Sequence, residues 1–354
     1  MKTKVIEVDP QFPDIKVIAD CARVIRQGGL VVFPTETVYG IAADFGNPQA
    51  MKRLREVKKR DEDKPFSVLI SQMGLISNYT SMKDPLLYKL IHAFWPGPLT
   101  IVVPAKEENK TIGIRMPDHK IALMLVQESQ CTIAAPSANA RGNDPPTTCQ
   151  EALRDLDGSV ELAIDGGAAK LGIGSSVVDL TQARPTIIRE GSITQADIDR
   201  VARRKTILFV CTGNSCRSVM AEFMLRKMTQ TRDDVEVLSA GTGVFVNSRA
   251  SAETIAVLKD EGIDATGHLS QAVNSILLKK ADLIFVMTRL HRQHVLERVP
   301  DVEKRVYLLK EFTNASGGFL NDIDIPDPIG QTNQAYRQCL EVIKEAVERI
   351  VKLL

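Results

Sequence analysis

The sequence predicts an α/β protein of two domains. The N-terminal part reads as an open, twisted, mixed sheet, and the C-terminal part as a doubly wound parallel sheet. Three observations carry this. The chain has 354 residues, more than one ordinary domain holds. From residue 204 onward, short apolar runs alternate with stretches of helical period, the pattern of a parallel sheet covered on both faces. Before residue 200, prolines interrupt the apolar runs, which a purely parallel sheet tolerates poorly.

In the first part, "GGLVVFPTETVYGIAA" contains a strand bounded by Gly29 and Pro34. "DKPFSVLI", "PLTIVVPA", "KTIGIRM" and "TIAAPSA" read as further strands. The seam lies near "EGSITQADIDRVARRKTILFV", where a short capped helix runs into a strand starting near Lys205. The domains are expected at 1–200 and 204–354. In the second, "KTILFV" and "ADLIFVM" are buried-strand runs, and "SAETIAVLKDEGI" is helical by period. In "NQAYRQCLEVIKEAVERIVKLL", Tyr336, Leu340, Ile343, Val347, Ile350 and Leu354 form a core-facing stripe.

Composition narrows the function. Hydrophobic residues make 44% and charged residues 25%, normal for globular protein. "MKTKVIEVDPQFPD" has no apolar core, so no secretory signal is read there. Apolar runs fall far short of the ~18 residues of a membrane helix. Six cysteines without a C-x-x-C pair suggest neither a disulfide framework nor a metal site, and a reducing cytoplasm is expected. The net charge of +1 argues against strong direct nucleic-acid binding and against membrane affinity.

"CTGNSCRS" (211–218) lies between a strand and an amphipathic segment. A strand-to-helix turn aims backbone N–H groups at one spot, and the helix dipole adds positive potential. Gly213 lets the loop close around an anion, and Arg217 can grip phosphate oxygens with two bonds. Thiolate is favoured in such a field, so Cys211 is the expected nucleophile. Ser218 can donate to that sulfur, and Asn214 can hold the loop rigid. The leaving group needs an acid; Asp327 in "DIDIPDPIGQT" is the best candidate, with Asp324 and Asp322 competing.

These residues resemble the low-molecular-weight protein-tyrosine-phosphatase family over 204–354, through "VCTGNSCRS", "LSAGTG", "ADLIFVM" and the Asp-Pro at 327–328. The resemblance implies Cys211 as nucleophile, Arg217 as transition-state clamp and Asp327 as general acid. It also implies Cys216 as the thiol able to trap an oxidised Cys211. Tyrosine-specific members carry a bulky aliphatic residue where Ser215 stands and aromatics where Ile329 and Gly330 stand. The protein-arginine-phosphatase branch has Thr at the position of Ser215. The expected substrate is therefore either a phosphotyrosine or a phosphoarginine protein. Arsenate reductases share the fold but need shuttling cysteines, and none occurs between Cys216 and Cys339.

The densest basic cluster is "KRLREVKKRDEDK" (52–64), most of it a solvated helix face. Lys58, Arg60 and Lys64 precede "PFSVLI", so they are expected in a loop feeding a sheet edge, where they can neutralise a polyphosphate. Polar turns cap other apolar runs: "PTETVYG", "RMPDH", "APSANARG", "GIGSSVVD" and "IIREG". Together with "WPGPLT", they resemble the YrdC-like threonylcarbamoyl-adenylate synthase family over residues 10–195.

That family joins L-threonine, bicarbonate and ATP into threonylcarbamoyl-AMP for tRNA threonylcarbamoyladenosine modification. The resemblance implies Lys58, Arg60, Lys64, Ser137, Asn139 and Arg189 at the ATP phosphates. It implies Thr37, Arg115 and Ser175 at threonine, with Arg115 on the carboxylate. Mg²⁺ is expected on the triphosphate, with no carboxylate cage for it in the sequence. Some members carry a His where Leu69 stands, and His119 is either a helper near substrate or a turn histidine. Downstream tRNA-modification proteins are possible partners. A rival reading makes the first domain an RNA-binding module and the second a regulatory anion sensor; near-neutral charge disfavours the RNA half of it.

Overall fold

The computed structural model describes residues 2–61, 65–313 and 323–354. The chain divides into two compact units, Met1–Met82 with Lys89–Val201, and Lys83–Tyr88 with Ala202–Leu354.

Strands β1 (Lys4–Glu7), β2 (Val31–Phe33), β3 (Gly40–Asp44), β4 (Val68–Leu69), β5 (Leu99–Pro104), β6 (Thr111–Arg115), β7 (Ile133–Ala134), β8 (Leu162–Asp165), β9 (Ser176–Asp179) and β10 (Thr186–Arg189) form one sheet. Its order is β1-β8-β2-β3-β7-β4-β6-β5-β9-β10. Pairs such as β5·β9 are parallel and β5·β6 antiparallel, so the sheet is mixed, as expected. The helices between residues 15 and 203 are α1 (Ile15–Arg26), α2 (Pro48–Lys58), α3 (Pro85–Phe94), α4 (Lys120–Ser129), α5 (Cys149–Leu156) and α6 (Gln195–Arg203).

The two-residue period of β2 splits the core. Val31 and Phe33 join a cluster with Ile18 and Ile25 of α1 and Ile121 and Leu125 of α4. Leu30 and Val32 join one with Leu54 of α2 and Leu156 of α5. Sequence runs expected as longer strands shorten to two residues at β4 and β7. Pro65 and Pro136, which cannot donate to a ladder, stand near them.

The second unit has a wholly parallel sheet of order β12-β11-β13-β14. Its strands are β11 (Lys205–Cys211), β12 (Val235–Gly241), β13 (Leu283–Val286) and β14 (Val306–Leu308). Its helices are α7 (Arg217–Met228), α8 (Ala252–Asp260), α9 (Ser275–Lys280), α10 (Arg289–Arg298) and α11 (Asn333–Leu353). Along β11, Ile207, Phe209 and Cys211 pack with residues of α7, α8 and α11, while Leu208 and Val210 pack with residues of α9 and α10. Both faces are covered, as a doubly wound sheet requires. The stripe on α11 is buried at Tyr336, Leu340, Ile343, Val347 and Ile350.

No helix among the described residues is long and apolar enough to cross a membrane.

Candidate active sites

A cleft of about 530 Å³ opens in the first unit, lined by Thr37, Lys58, Arg60, Arg115, Ser137, Ser175 and Arg189 among others. Seven sequence-selected residues thus converge from β3's approach, α2, β6, the turn after β7 and the two sides of β9 and β10. Arg60 donates to Pro65 O at 2.8 Å, and its guanidinium sits 4.9 Å from the Phe66 ring centroid. Burial lowers the pKa of Arg189 below its usual value, and the positive charges of Arg115 and Arg60 lower it further. That mutual repulsion is what a bound anion relieves.

Lys58 behaves differently. It is the last residue of α2 rather than part of a loop, and it is buried. Its ammonium donates to Ser137 O at 2.7 Å, to Asn139 Oδ1 at 3.0 Å and to Asn139 O. Desolvation, and then the nearby Arg60 charge, push its pKa down to about 8. Asn139 does not line the cleft. It accepts from Ser137 Oγ at 2.6 Å and donates to Asn143 O at 2.6 Å. Lys64 lies outside the described residues.

At the other end, Arg189 Nη2 reaches Ser175 O at 2.8 Å and Ser175 Oγ at 2.9 Å. Thr100, buried and lining the cleft, shares a 2.8 Å hydrogen bond with Ser175. Thr35 donates to Val38 O at 2.7 Å, which leaves Thr37 as donor in the 2.8 Å bond between their hydroxyls. Arg115 donates from Nε to Gly97 O at 3.2 Å, and its Nη2 lies 2.7 Å from Glu36 Oε1. That contact is an ion pair by distance but lacks hydrogen-bond geometry. Both Glu36 oxygens, Arg115 Nη2 and His119 Nδ1 are buried without a hydrogen-bond partner. His119 immediately precedes α4, and it does not line the cleft.

In the second unit, Cys211 ends β11 and Arg217 begins α7. Asn214 N–H points at Cys211 Sγ (3.3 Å), and Ser218 Oγ lies 2.9 Å from it. Ser218 accepts from Asn214 Nδ2 at 3.1 Å, which frees its own proton for the sulfur. Asn214 takes a left-handed φ of 50°, held by bonds from Nδ2 to Ser239 Oγ (2.6 Å), from Gln271 N to Oδ1 (2.9 Å) and between His268 Nε2 and its carbonyl (2.8 Å). Ser239 in turn donates to Glu222. A side chain at Gly241 would stand 2.4 Å from Thr212 O, so the loop's close approach demands glycine there.

Arg217 is buried, bonds Ile325 O at 3.0 Å and pairs with Asp327, while its Nε has no partner. Asp324 instead accepts from Arg289 N at 2.8 Å. Asp322 lies outside the described residues. Ser215 Oγ is 3.6 Å from Cys216 Sγ, and both loop cysteines are free thiols. His291 bridges Thr212 Oγ1 and Thr288 Oγ1, each at 2.8 Å; desolvation, then the Arg217 charge, push its pKa down to about 4.

Residues 23–191 match the family described as telomere recombination (Sua5, YciO, YrdC), and residues 206–354 match that of low molecular weight phosphotyrosine protein phosphatase. The threonylcarbamoyl-AMP synthase of Pyrococcus abyssi is 35% identical over 271 residues, covering 73% of this chain and 78% of that protein. The chain belongs to the threonylcarbamoyl-AMP synthase family. The Bacillus subtilis synthase is 38% identical over 202 residues, and the chain spans only 57% of that protein's length. The crystal structure of P. abyssi Sua5 complexed with L-threonine is 25% identical with a TM-score of 0.54, covering 86% of this chain and 99% of that one. Two enzyme families are thus joined in one chain.

In the synthase unit, Glu36, Thr35 and Thr100 were not singled out from sequence, although they sit inside the quoted "PTETVYG" and "WPGPLT". In the phosphatase unit, the same holds for Ser239 in "LSAGTG" and for Glu222, His268 and His291, which carry no local signal at all.

Proposed function

We propose that the synthase unit forms threonylcarbamoyl-AMP and that the second unit dephosphorylates protein side chains through Cys211. The observation that carries the first half is the convergence of Arg60, Arg115 and Arg189 on one cleft with hydroxyls between them. The threonine amine adds to carbon dioxide derived from bicarbonate. A carbamate oxygen then attacks the α-phosphorus of ATP, and the bond to pyrophosphate breaks. Both reactants are anions, so the site must supply charge and alignment. Arg60, Arg189 and Ser137 are assigned to the phosphates, and Lys64 by resemblance alone. Lys58 and Asn139 shape the loop that presents Ser137. Arg115, Thr37 and Ser175 are assigned to threonine by resemblance, and the P. abyssi relative solved in complex with L-threonine supports threonine as the ligand. Among the described lining residues Asp179 is the one carboxylate, and Mg²⁺ would come with the nucleotide. The product serves tRNA threonylcarbamoyladenosine formation by downstream proteins.

In the second unit, Cys211 sulfur attacks phosphorus while Asp327 gives a proton to the departing group. Arg217 stabilises the equatorial oxygens, and water then cleaves the S–P bond. The substrate is a phosphotyrosine or phosphoarginine protein. Two assays on the purified chain test this reading. Pyrophosphate release should require threonine and bicarbonate together; release from ATP alone would contradict the synthase half. Hydrolysis of p-nitrophenyl phosphate should vanish in Cys211→Ser; persistent activity would contradict the phosphatase half. Phosphotyrosine and phosphoarginine peptides compared side by side then decide the target.

A further inference from the structure

In the second unit one stretch, Met287–His291, where β13 runs into α10, holds both sides of the cysteine site. Towards the cysteine loop, the His291 ring bridges Thr288 Oγ1 and Thr212 Oγ1, each at 2.8 Å, and Thr212 adjoins Cys211. Thr288 Oγ1 already accepts from His291 N at 3.3 Å, so its proton goes to Nδ1 and Nε2–H donates to Thr212. Towards the acid segment, Met287 O accepts from Ile325 N–H at 2.8 Å, and Arg289 N–H donates to Asp324 Oδ1 at 2.8 Å. Ile325 is fully buried, and its carbonyl accepts from Arg217 Nη1 at 3.0 Å.

Arg289 N–H is the first donor of α10, and no carbonyl of its own helix can meet it. Asp324 reaches across 35 residues to do so, and a carboxylate there gains further from the helix dipole. From Asp324 the anchoring passes along a stiff piece of chain. Pro326 and Pro328 fix their own φ and disfavour helical backbone at Ile325 and Asp327. We propose that Asp324 is a positioning residue for Asp327: through the Met287–His291 stretch it fixes the acid segment against the cysteine loop. The proposal rests on the phosphatase reading of that loop. Asp324 touches no reacting atom. Its removal keeps the Asp327 carboxyl but loosens its aim, so the loss falls on the step that needs the proton.

The test measures kcat/KM, which reports phosphoenzyme formation, for two aryl phosphates on the full chain. Phenyl phosphate releases a phenoxide that needs the Asp327 proton; 2,4-dinitrophenyl phosphate releases one that departs without it. Asp324→Ala should lower kcat/KM roughly tenfold or more on phenyl phosphate and less than about twofold on the dinitrophenyl ester. Asp324→Asn, whose amide oxygen still accepts from Arg289 N–H, should stay within about threefold of the unaltered chain on both. Inhibition by inorganic phosphate should change less than about twofold in Asp324→Ala, because the anion loop itself is intact. Equal losses on the two esters, no loss on phenyl phosphate, a parallel loss of phosphate inhibition, or no rescue by asparagine overturns the proposal. If the unaltered chain hydrolyses neither ester, the phosphatase reading falls and the proposal with it; hydrolysis with a uniform loss in Asp324→Ala sinks the proposal alone.

Discussion

Lys58 and Asn139 are joined twice, at the backbone oxygen and, 3.0 Å away, at the side-chain Oδ1. With Ser137 O at 2.7 Å, the three protons of the ammonium are spent. On this geometry we propose that Lys58 builds the loop rather than gripping a phosphate. Leaving a buried acceptor unsatisfied costs about 1–3 kcal/mol. Lys58→Met is expected to lower stability by ~3 kcal/mol in urea unfolding and to reduce kcat/KM for ATP. Lys58→Arg, which keeps the charge but not the compact three-way geometry, should restore little. Full rescue by arginine would return Lys58 to a role as a simple charge.

The same lysine predicts a pH signature. Its folded pKa is lowered from 10.5 to about 8. A neutral amine has two protons for three acceptors, so synthase activity should fall as pH rises through about 8. Stability moves the other way. Between the folded and unfolded values the unfolded chain binds more protons, so stability rises with pH in that window. Parallel activity and melting profiles should diverge above pH 8; a joint decline would assign the loss to unfolding.

Glu36 lies behind Arg115, 2.7 Å from its Nη2, with both side chains buried. Removing one partner of a buried pair strands the other charge, at about 3–5 kcal/mol. Glu36→Gln is expected to raise KM for threonine at least tenfold while KM for ATP stays within about twofold, because Arg115 is assigned to threonine. Equal changes in both constants would make the pair merely structural.

Asp327 pairs with Arg217, which places a carboxyl at the mouth of the cysteine loop. Loss of a general acid costs roughly 10²–10⁴ in rate. Asp327→Ala should slow phosphoenzyme formation by that order in rapid-quench experiments while inhibition by inorganic phosphate changes only a few fold. An unchanged rate would pass the role to Asp324 or to water.

The legible part of each site was the contiguous part. Cys211 through Ser218 sit in one turn, so sequence spacing alone places the proposed nucleophile, clamp and sulfur donor close together, and Ser218 Oγ and Asn214 N lie 2.9 and 3.3 Å from Cys211 Sγ. Asp327 was legible as an acid in a strand-end loop, but its pairing with Arg217 spans 110 residues and left no local trace. In the synthase unit, Arg115, Ser175 and Arg189 meet only through strand order, which periodicity does not encode. Family motifs brought them together instead. Lys58 looked like one more cation of a basic run, because the carbonyls that consume its protons come from 79 and 81 residues away. Glu36 and His291 stayed hidden for the same reason, since burial of a polar residue is decided by partners that the local sequence does not name.

We propose that the first cleft aligns a carbamate oxygen against the α-phosphorus of ATP. The most direct test supplies ¹⁸O-labelled bicarbonate with threonine and ATP, transfers the threonylcarbamoyl group onward, and weighs the AMP released. Attack by the carbamate oxygen leaves one label in the AMP phosphate. Unlabelled AMP, with pyrophosphate still formed, would contradict the account.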